Sequence, residues 1–298
     1  MPEVVEVLKT TDFLKKFMKN EYILDIKILK GRYLTHGPFP LFDLILKNLP
    51  LKVIDIKNKG KFMYFILEKG FYIYSTLGLR GGWCKYEDNK FKFPKLINYI
   101  NSISISKYRK IALNNLNVLF SISNGETIYY YDSLSFGTLK ISNKESDLIK
   151  KLDSIGPDIM YVSYDIFKDR IMKNINLNKE IANVLLNQKI VSGIGNYLRS
   201  DILWLSKISP FRKVKDLTDK EIKIIFNNAK ILTYGEYNFK KAIQLKIIDS
   251  GNKIPKDYGR NFFVYMCETD IYGNKVISEK LYEGKNSRTI YWVKEMQK

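Results

Sequence analysis

Cysteine and histidine are nearly missing from this 298-residue chain, which has only Cys84, Cys267 and His36. Two cysteines exclude a disulfide scaffold. They also exclude a zinc site built within this chain from four cysteines, or from two cysteines and two histidines. With His36 as the only imidazole, a Ser-His-Asp or Cys-His nucleophile has little room. No apolar run approaches the ~20 residues of a membrane span. Glu3, Glu6, Lys9 and Asp12 interrupt the N-terminus where a secretory signal needs an apolar stretch. These features point to the cell interior, without separating nucleus from cytoplasm, and to no membrane association and no cofactor.

Positive charge is abundant. Fifty Lys and Arg face 31 Asp and Glu, for a formal net charge of +19, while 45% of the residues are hydrophobic. Such a chain folds and attracts polyanions, nucleic acid first because neutralised phosphates release counterions. Two other accounts compete. AT-rich coding enriches Lys, Asn and Ile without selection for binding, and acidic membrane surfaces also attract cations. No basic amphipathic helix of the interfacial kind supports the membrane account.

The first half reads as β-rich after one leading helix marked by Val4, Val7, Leu8, Leu14 and Phe17. Short β-branched and aromatic runs predict strands at 23–28, 53–57, 62–67, 71–74, 116–122 and 127–131, separated by Lys59-Gly60, Lys69-Gly70 and Asn124-Gly125. The period changes near Ser142-Asn143-Lys144. Helices are predicted over 145–154, 164–174, 178–187, 194–206 and 218–234, the last opened by a Thr218/Glu221 capping box. After Arg260 strands return at 262–266, 275–278 and 289–293. The domain extents are 1–142, 143–259 and 260–298. The fold class is α+β: a β-sandwich domain with a leading helix, a helical domain and a terminal β-hairpin.

Four segments carry chemistry. Met1-Pro2-Glu3 leaves an N-terminal secondary amine at Pro2 once the initiator is removed. An α-amino group titrates near ~8 against ~10.4 for Lys, so at neutral pH roughly a tenth is unprotonated. A secondary amine attacking an aldehyde-like carbon forms an iminium electron sink, and Glu3 can move protons beside it. The alternative reading of this segment is a frayed terminus. In Val191-Ser192-Gly193-Ile194-Gly195-Asn196 a helix ends, the chain turns on glycines and a second helix begins. Gly193 and Gly195 let backbone N–H groups approach a phosphate there, and Asn196 adds a donor; the alternative is a packing corner. Lys59-Gly60-Lys61 opens a strand and places Lys61 for a phosphate, and Leu79 in Leu77-Gly78-Leu79-Arg80-Gly81-Gly82 can wedge into a base stack. Each has its ordinary reading, a solvated lysine and a core leucine. In Asn286-Ser287-Arg288-Thr289, Arg288 suits a phosphate, or is a plain surface arginine.

In this order the four segments resemble the formamidopyrimidine-DNA glycosylase and endonuclease VIII family over nearly the whole chain. The stretch from Val191 to Arg199 is most similar to the vertebrate endonuclease VIII-like branch, and Ser154-Ile155-Gly156-Pro157-Asp158 resembles the family's approach to its helix-two-turn-helix domain. The resemblance implies a monomeric bifunctional DNA glycosylase/AP lyase acting on damaged DNA, with abasic sites and oxidised bases, pyrimidines foremost, as lesions. It implies Pro2 as nucleophile on C1′, Glu3 as acid/base, Glu6 in support, and Lys61, Asn196 and Arg288 on phosphates. Leu79 is implied as wedge and Phe136 as a stacking residue. The departures are specific. Leu134 stands where the family has an arginine facing the opposite base. Val4-Val5 replace Gly-Pro, Asp201 replaces a glutamate, and Ser287 replaces a glycine before Arg288. Only Cys267 remains of a four-cysteine finger, so the hairpin reads as zincless. The rival class is a nucleic-acid binder without chemistry, like the basic ribosomal proteins that share a similar glycine turn. It lacks the Pro-Glu start, the β-rich half and the wedge loop.

Overall fold

A computed structural model describes residues 2–87, 90–94, 105–244, 262–283 and 286–298. The chain separates into two compact units, residues 6–154 with Pro2, and residues 155–298 with residues 3–5. Helix α1 (Val4–Met18) thus gives its first residues to the second unit and the rest to the first.

The first unit is a β-sandwich. Strands β1 (Tyr22–Ile28), β2 (Leu51–Lys59), β3 (Phe62–Leu67), β4 (Tyr72–Thr76), β5 (Gly81–Glu87), β6 (Lys90–Lys92), β7 (Leu116–Ile122), β8 (Thr127–Asp132) and β9 (Thr138–Ser142) pair in the order β6-β5-β8-β7-β1-β2-β3-β4-β9, antiparallel throughout. The β1–β2 link is only two residue pairs long, Tyr22 with Lys52 and Ile23 with Leu51, and there the sheet folds over into two layers. Trp83 of β5 fills the space between them. Its ring lies 5.3 Å from both Phe65 and Phe120 and 5.4 Å from Tyr130, and its Nε1 donates to Ser75 Oγ at 3.1 Å. A buried indole thus keeps its hydrogen bond. Short helices α2 (Arg32–Thr35), α3 (Phe42–Asn48) and α4 (Ile105–Asn114) join strands, and α5 (Glu145–Asp153) ends the unit.

Strands β5, β6 and β9 and helices α2 to α4 escape the sequence reading. In β5 the Gly81-Gly82 start depresses strand character. The structure explains Gly82, because a Cβ there would strike the ring of Tyr131 across the sheet.

The second unit contains α6 (Tyr164–Ile171), α7 (Ile181–Leu186), α8 (Asn196–Ser206), α9 (Asp219–Gln244) and a hairpin of β10 (Ile277–Glu283) with β11 (Asn286–Trp292). The capping box forms as expected: Thr218 N donates to Glu221 Oε2 at 2.8 Å and Glu221 N to Thr218 Oγ1 at 3.3 Å. Several predicted ends move. Helix α6 stops at Ile171, with a separate 3-10 turn at Asn174–Asn176. Helix α7 is shorter than 178–187, α8 starts two residues late, and α9 runs on to Gln244 past a non-helical Asn238.

The predicted strand at 262–266 is a turn. Asp201, fully buried on α8, accepts Phe263 N at 3.1 Å, Val264 N at 3.0 Å and Tyr265 N at 3.2 Å. Three consecutive N–H groups converging on one carboxylate cannot alternate as strand donors do. Further on, Asp270 accepts Tyr272 N, Asn274 N, Asn274 Nδ2 and Trp204 Nε1, all within 3.1 Å, and so folds the loop before β10 onto α8. The hairpin begins at Ile277 rather than at Lys275. The expected boundary at 259/260 lies outside the described residues.

Candidate active site and nucleic-acid interface

In the second unit the site is built on the turn between α7 and α8. Helix α8 begins with N–H groups that have no partner of their own, at the positive end of its dipole. Glu3 fills that position. Its carboxylate, 1% exposed, accepts Gly195 N at 2.5 Å, Tyr197 N at 2.9 Å and Leu198 N at 3.4 Å. The glycines serve this seat. A Cβ on Gly195 would lie 2.6 Å from Glu3 Cγ and closer still to the carboxylate. Gly193 has φ +105°, its carbonyl accepts Val4 N at 3.1 Å, and a Cβ there would lie 2.8 Å from Val4 Cβ. Gln188 fixes the turn, its Oε1 accepting Gly193 N at 3.0 Å and its Nε2 donating to Ile194 O at 2.7 Å. This corrects the expectation that the N–H groups of Gly193 and Gly195 approach a phosphate. They are given to Gln188 and Glu3, and the anion on the helix terminus is the protein's own carboxylate.

Asn196 and Arg288 come together on the same unit. Asn196 Nδ2 donates to Thr289 O at 2.9 Å, beside the exposed Arg288 on β11, and its Oδ1 accepts Arg199 Nη2 at 2.5 Å. Arg199 is wholly buried, reaches Ala182 O and Thr289 O at 3.4 Å, and its Nε has no partner among the described residues. Burial pulls its guanidinium down to about 10; the Glu3 charge works against that shift and Arg288 adds to it. Tyr265 belongs to this group, its phenol pushed up by burial and then by Glu3. The sequence reading gives Arg199 no role. The usable signal is an arginine placed among Tyr197, Leu198, Ile202 and Leu203, where a charge is normally absent.

In the first unit Pro2 and Lys61 are both half-buried, and Lys61 follows Gly60, whose φ of +55° makes the β2–β3 turn. Glu6 is buried on α1. Two loops stand together. The first, 77–81, is closed by Gly81 N donating to Leu77 O at 2.8 Å. The second, 132–137, is closed by Asp132, which accepts Leu134 N at 3.0 Å and Gly137 N at 2.6 Å. They meet at the paired hydroxyls of Thr76 and Thr138, 2.8 Å apart, and at Gly78, where a Cβ would lie 3.0 Å from Gly137 Cα. Their tips expose Leu79 (42%), Leu134 (40%) and Phe136 (62%).

Three family models match the chain. The formamidopyrimidine-DNA glycosylase N-terminal domain covers residues 1–139, its H2TH domain 155–245 and its C-terminal domain 246–298. Among curated relatives, the formamidopyrimidine-DNA glycosylase of Ureaplasma parvum is 30% identical over 239 residues, 77% of this chain and 76% of its own length. The chain belongs to the formamidopyrimidine-DNA glycosylase family. Members of this family are DNA glycosylase/AP lyases of base excision repair. The Mycoplasma genitalium formamidopyrimidine-DNA glycosylase is 29% identical over 251 residues, 81% of this chain and 80% of its own. Both relatives are bacterial. Among solved structures, the Lactococcus lactis formamidopyrimidine-DNA glycosylase, non-covalently bound to DNA containing an AP site, has a TM-score of 0.71 at 18% identity, over 99% of both chains. MutM in complex with DNA containing carbocyclic 8-oxo-G has a TM-score of 0.70 at 21% identity over both full chains. Among the described residues no helix is long and apolar enough to cross a membrane, and no group of three or more His, Cys, Asp and Glu is arranged to hold a metal ion.

Proposed function

We propose that this glycosylase binds damaged DNA, excises oxidised bases through a Schiff base on Pro2 and then cleaves the strand by β and δ elimination. The Pro2 nitrogen, freed when Met1 is removed, attacks C1′ of the extruded nucleotide and the C1′–base bond breaks, the base leaving with a proton. Ring opening of the sugar gives an iminium; loss of a proton from C2′ then expels the 3′ phosphate, and loss of a proton from C4′ through the conjugated iminium expels the 5′ phosphate. Hydrolysis frees the proline. Glu3 handles the protons of the sugar and base, and Glu6 supports it. Lys61, Asn196 and Arg288 hold the flanking phosphates, Leu79 fills the vacated stack and Phe136 stacks beside it. The observation that carries this reading is the seat of Glu3: the N–H groups of Gly195, just before α8, and of Tyr197 and Leu198 in its first turn fix the carboxylate of the residue that follows the nucleophile.

The terminal hairpin acts as a zincless finger, with the Asp270 hydrogen bonds closing its loop. The enzyme acts as a monomer. The substrate range includes oxidised pyrimidines, in keeping with the Val191–Arg199 likeness to the vertebrate branch, and ring-opened purines, the lesion in the relatives' name. Borohydride trapping tests the reading. Protein lacking Met1 is mixed with duplexes bearing an abasic site, an oxidised pyrimidine or a formamidopyrimidine. A covalent adduct forms with the wild type and is lost when an N-terminal extension holds the Pro2 nitrogen in a peptide bond. Absence of an adduct on all three duplexes contradicts it.

A further inference from the structure

Extrusion of a damaged nucleotide leaves its partner base inside the duplex without hydrogen bonds, and unmade polar groups of that kind are costly. The loop tips Leu79, Leu134 and Phe136 offer that base apolar surface and no side-chain donor. A guanidinium stands beside them. Arg32, exposed at the start of α2, donates from Nη1 to Ser135 O at 3.2 Å, the carbonyl between Leu134 and Phe136. Its guanidinium also lies 5.6 Å from the ring of Tyr33. The placement is built into the fold. Asn117 Oδ1 accepts Asp132 N at 2.5 Å at the root of the loop, and its Nδ2 donates to Lys30 O at 3.3 Å. Gly31, with φ +77°, lies against that same Asn117 side chain, where a Cβ has no room. The buried Tyr33 hydroxyl accepts Leu139 N at 2.5 Å just past the loop. The segment carrying Arg32 and the loop carrying Phe136 are therefore held as one piece. Among the described residues the other guanidinium N–H groups of Arg32 have no hydrogen bond or ion pair.

Resting on the reading above, we infer that Arg32 is the residue that recognises the base opposite the lesion. A guanidinium presents two parallel N–H donors. On the pairing edge, cytosine sets two acceptors, O2 and N3, side by side. Guanine and adenine set a donor next to an acceptor there, and thymine separates its acceptors by N3–H. Arg32 therefore favours cytosine, while Phe136 covers the face of the base. Arg80, also exposed, sits on the other loop, where among the described residues it makes no hydrogen bond or ion pair that would aim it at one base edge.

The test is equilibrium binding of duplexes carrying a tetrahydrofuran abasic analogue opposite C, G, A or T. It needs no catalysis, so failure of the Schiff-base chemistry does not affect it. Wild type binds the C duplex about tenfold more tightly than the A duplex. Arg32→Ala brings the four affinities within about twofold, at an unchanged thermal midpoint. Arg80→Ala weakens all four alike. Arg32→Ala with Leu134→Arg returns the preference for C by supplying a guanidinium from the loop itself. Equal affinities in the wild type, a uniform loss in Arg32→Ala, or loss of the preference in Arg80→Ala overturns the assignment.

Discussion

Replacing Gly195 with alanine adds one methyl group at the most crowded point of the site. Ordinary contact begins near 3.4 Å, yet the added Cβ would meet Glu3 Cγ at 2.6 Å and the carboxylate at less. The obstacle is the end of a side chain rather than backbone, so the helix keeps its place and Glu3 gives way by about 1 Å. It then leaves the N–H groups of Gly195, Tyr197 and Leu198. Misplacing a reacting group by that distance costs about 10²-fold in rate. Losing the anion from the helix terminus costs on the order of 1 kcal/mol of stability, as losing a cap does. Single-turnover excision at 25 °C, where the variant remains folded, reads the first effect, and urea unfolding reads the second. Excision within about threefold of wild type, with Gly195→Ala folded, refutes the argument that this seat positions Glu3.

The remaining expectations concern charge and closure. Arg212, with Thr218 assisting, pulls the Glu221 carboxyl down to about 2. Its folded-state value lies below its unfolded one, so its contribution is present above about pH 4.5 and lost as pH falls toward 2. Glu221→Ala is less stable than wild type by about 1 kcal/mol at pH 7, and the gap in urea unfolding closes on acidification. Asp201→Asn turns a carboxylate facing three N–H groups into a side chain that can oppose them with its own donor, for a loss of about 2 kcal/mol by urea unfolding. Lys61→Ala and Arg288→Ala each lower the slope of log affinity against log salt by about 1 in DNA-binding titrations. Prolonged treatment with a strong chelator leaves the thermal midpoint of the wild type unchanged, whereas Asp270→Ala lowers it.

The sequence is legible wherever local chemistry decides structure. Alternation and turn glycines locate β1 to β4, β7 and β8, and the Thr218/Glu221 spacing locates the start of α9. It is illegible where a distant partner decides. Phe262 to Met266 has strand composition, but Asp201, some sixty residues earlier in the chain, gathers its N–H groups into a turn. Gly82 looks like a strand breaker until Tyr131 is seen against it. Gly193 and Gly195 stand out in the sequence, yet as a phosphate seat, because nothing in a linear sequence says that Glu3 arrives at the same helix end. Arg32 is invisible for the same reason: its meaning comes from Ser135, about a hundred residues away.

The most direct test of the account is to reduce the enzyme–DNA adduct with borohydride, digest it and locate the modified peptide by mass spectrometry. The sugar fragment should be carried on the nitrogen of Pro2, in peptides lacking Met1. Attachment to a lysine side chain, or full activity in protein that retains Met1, contradicts it.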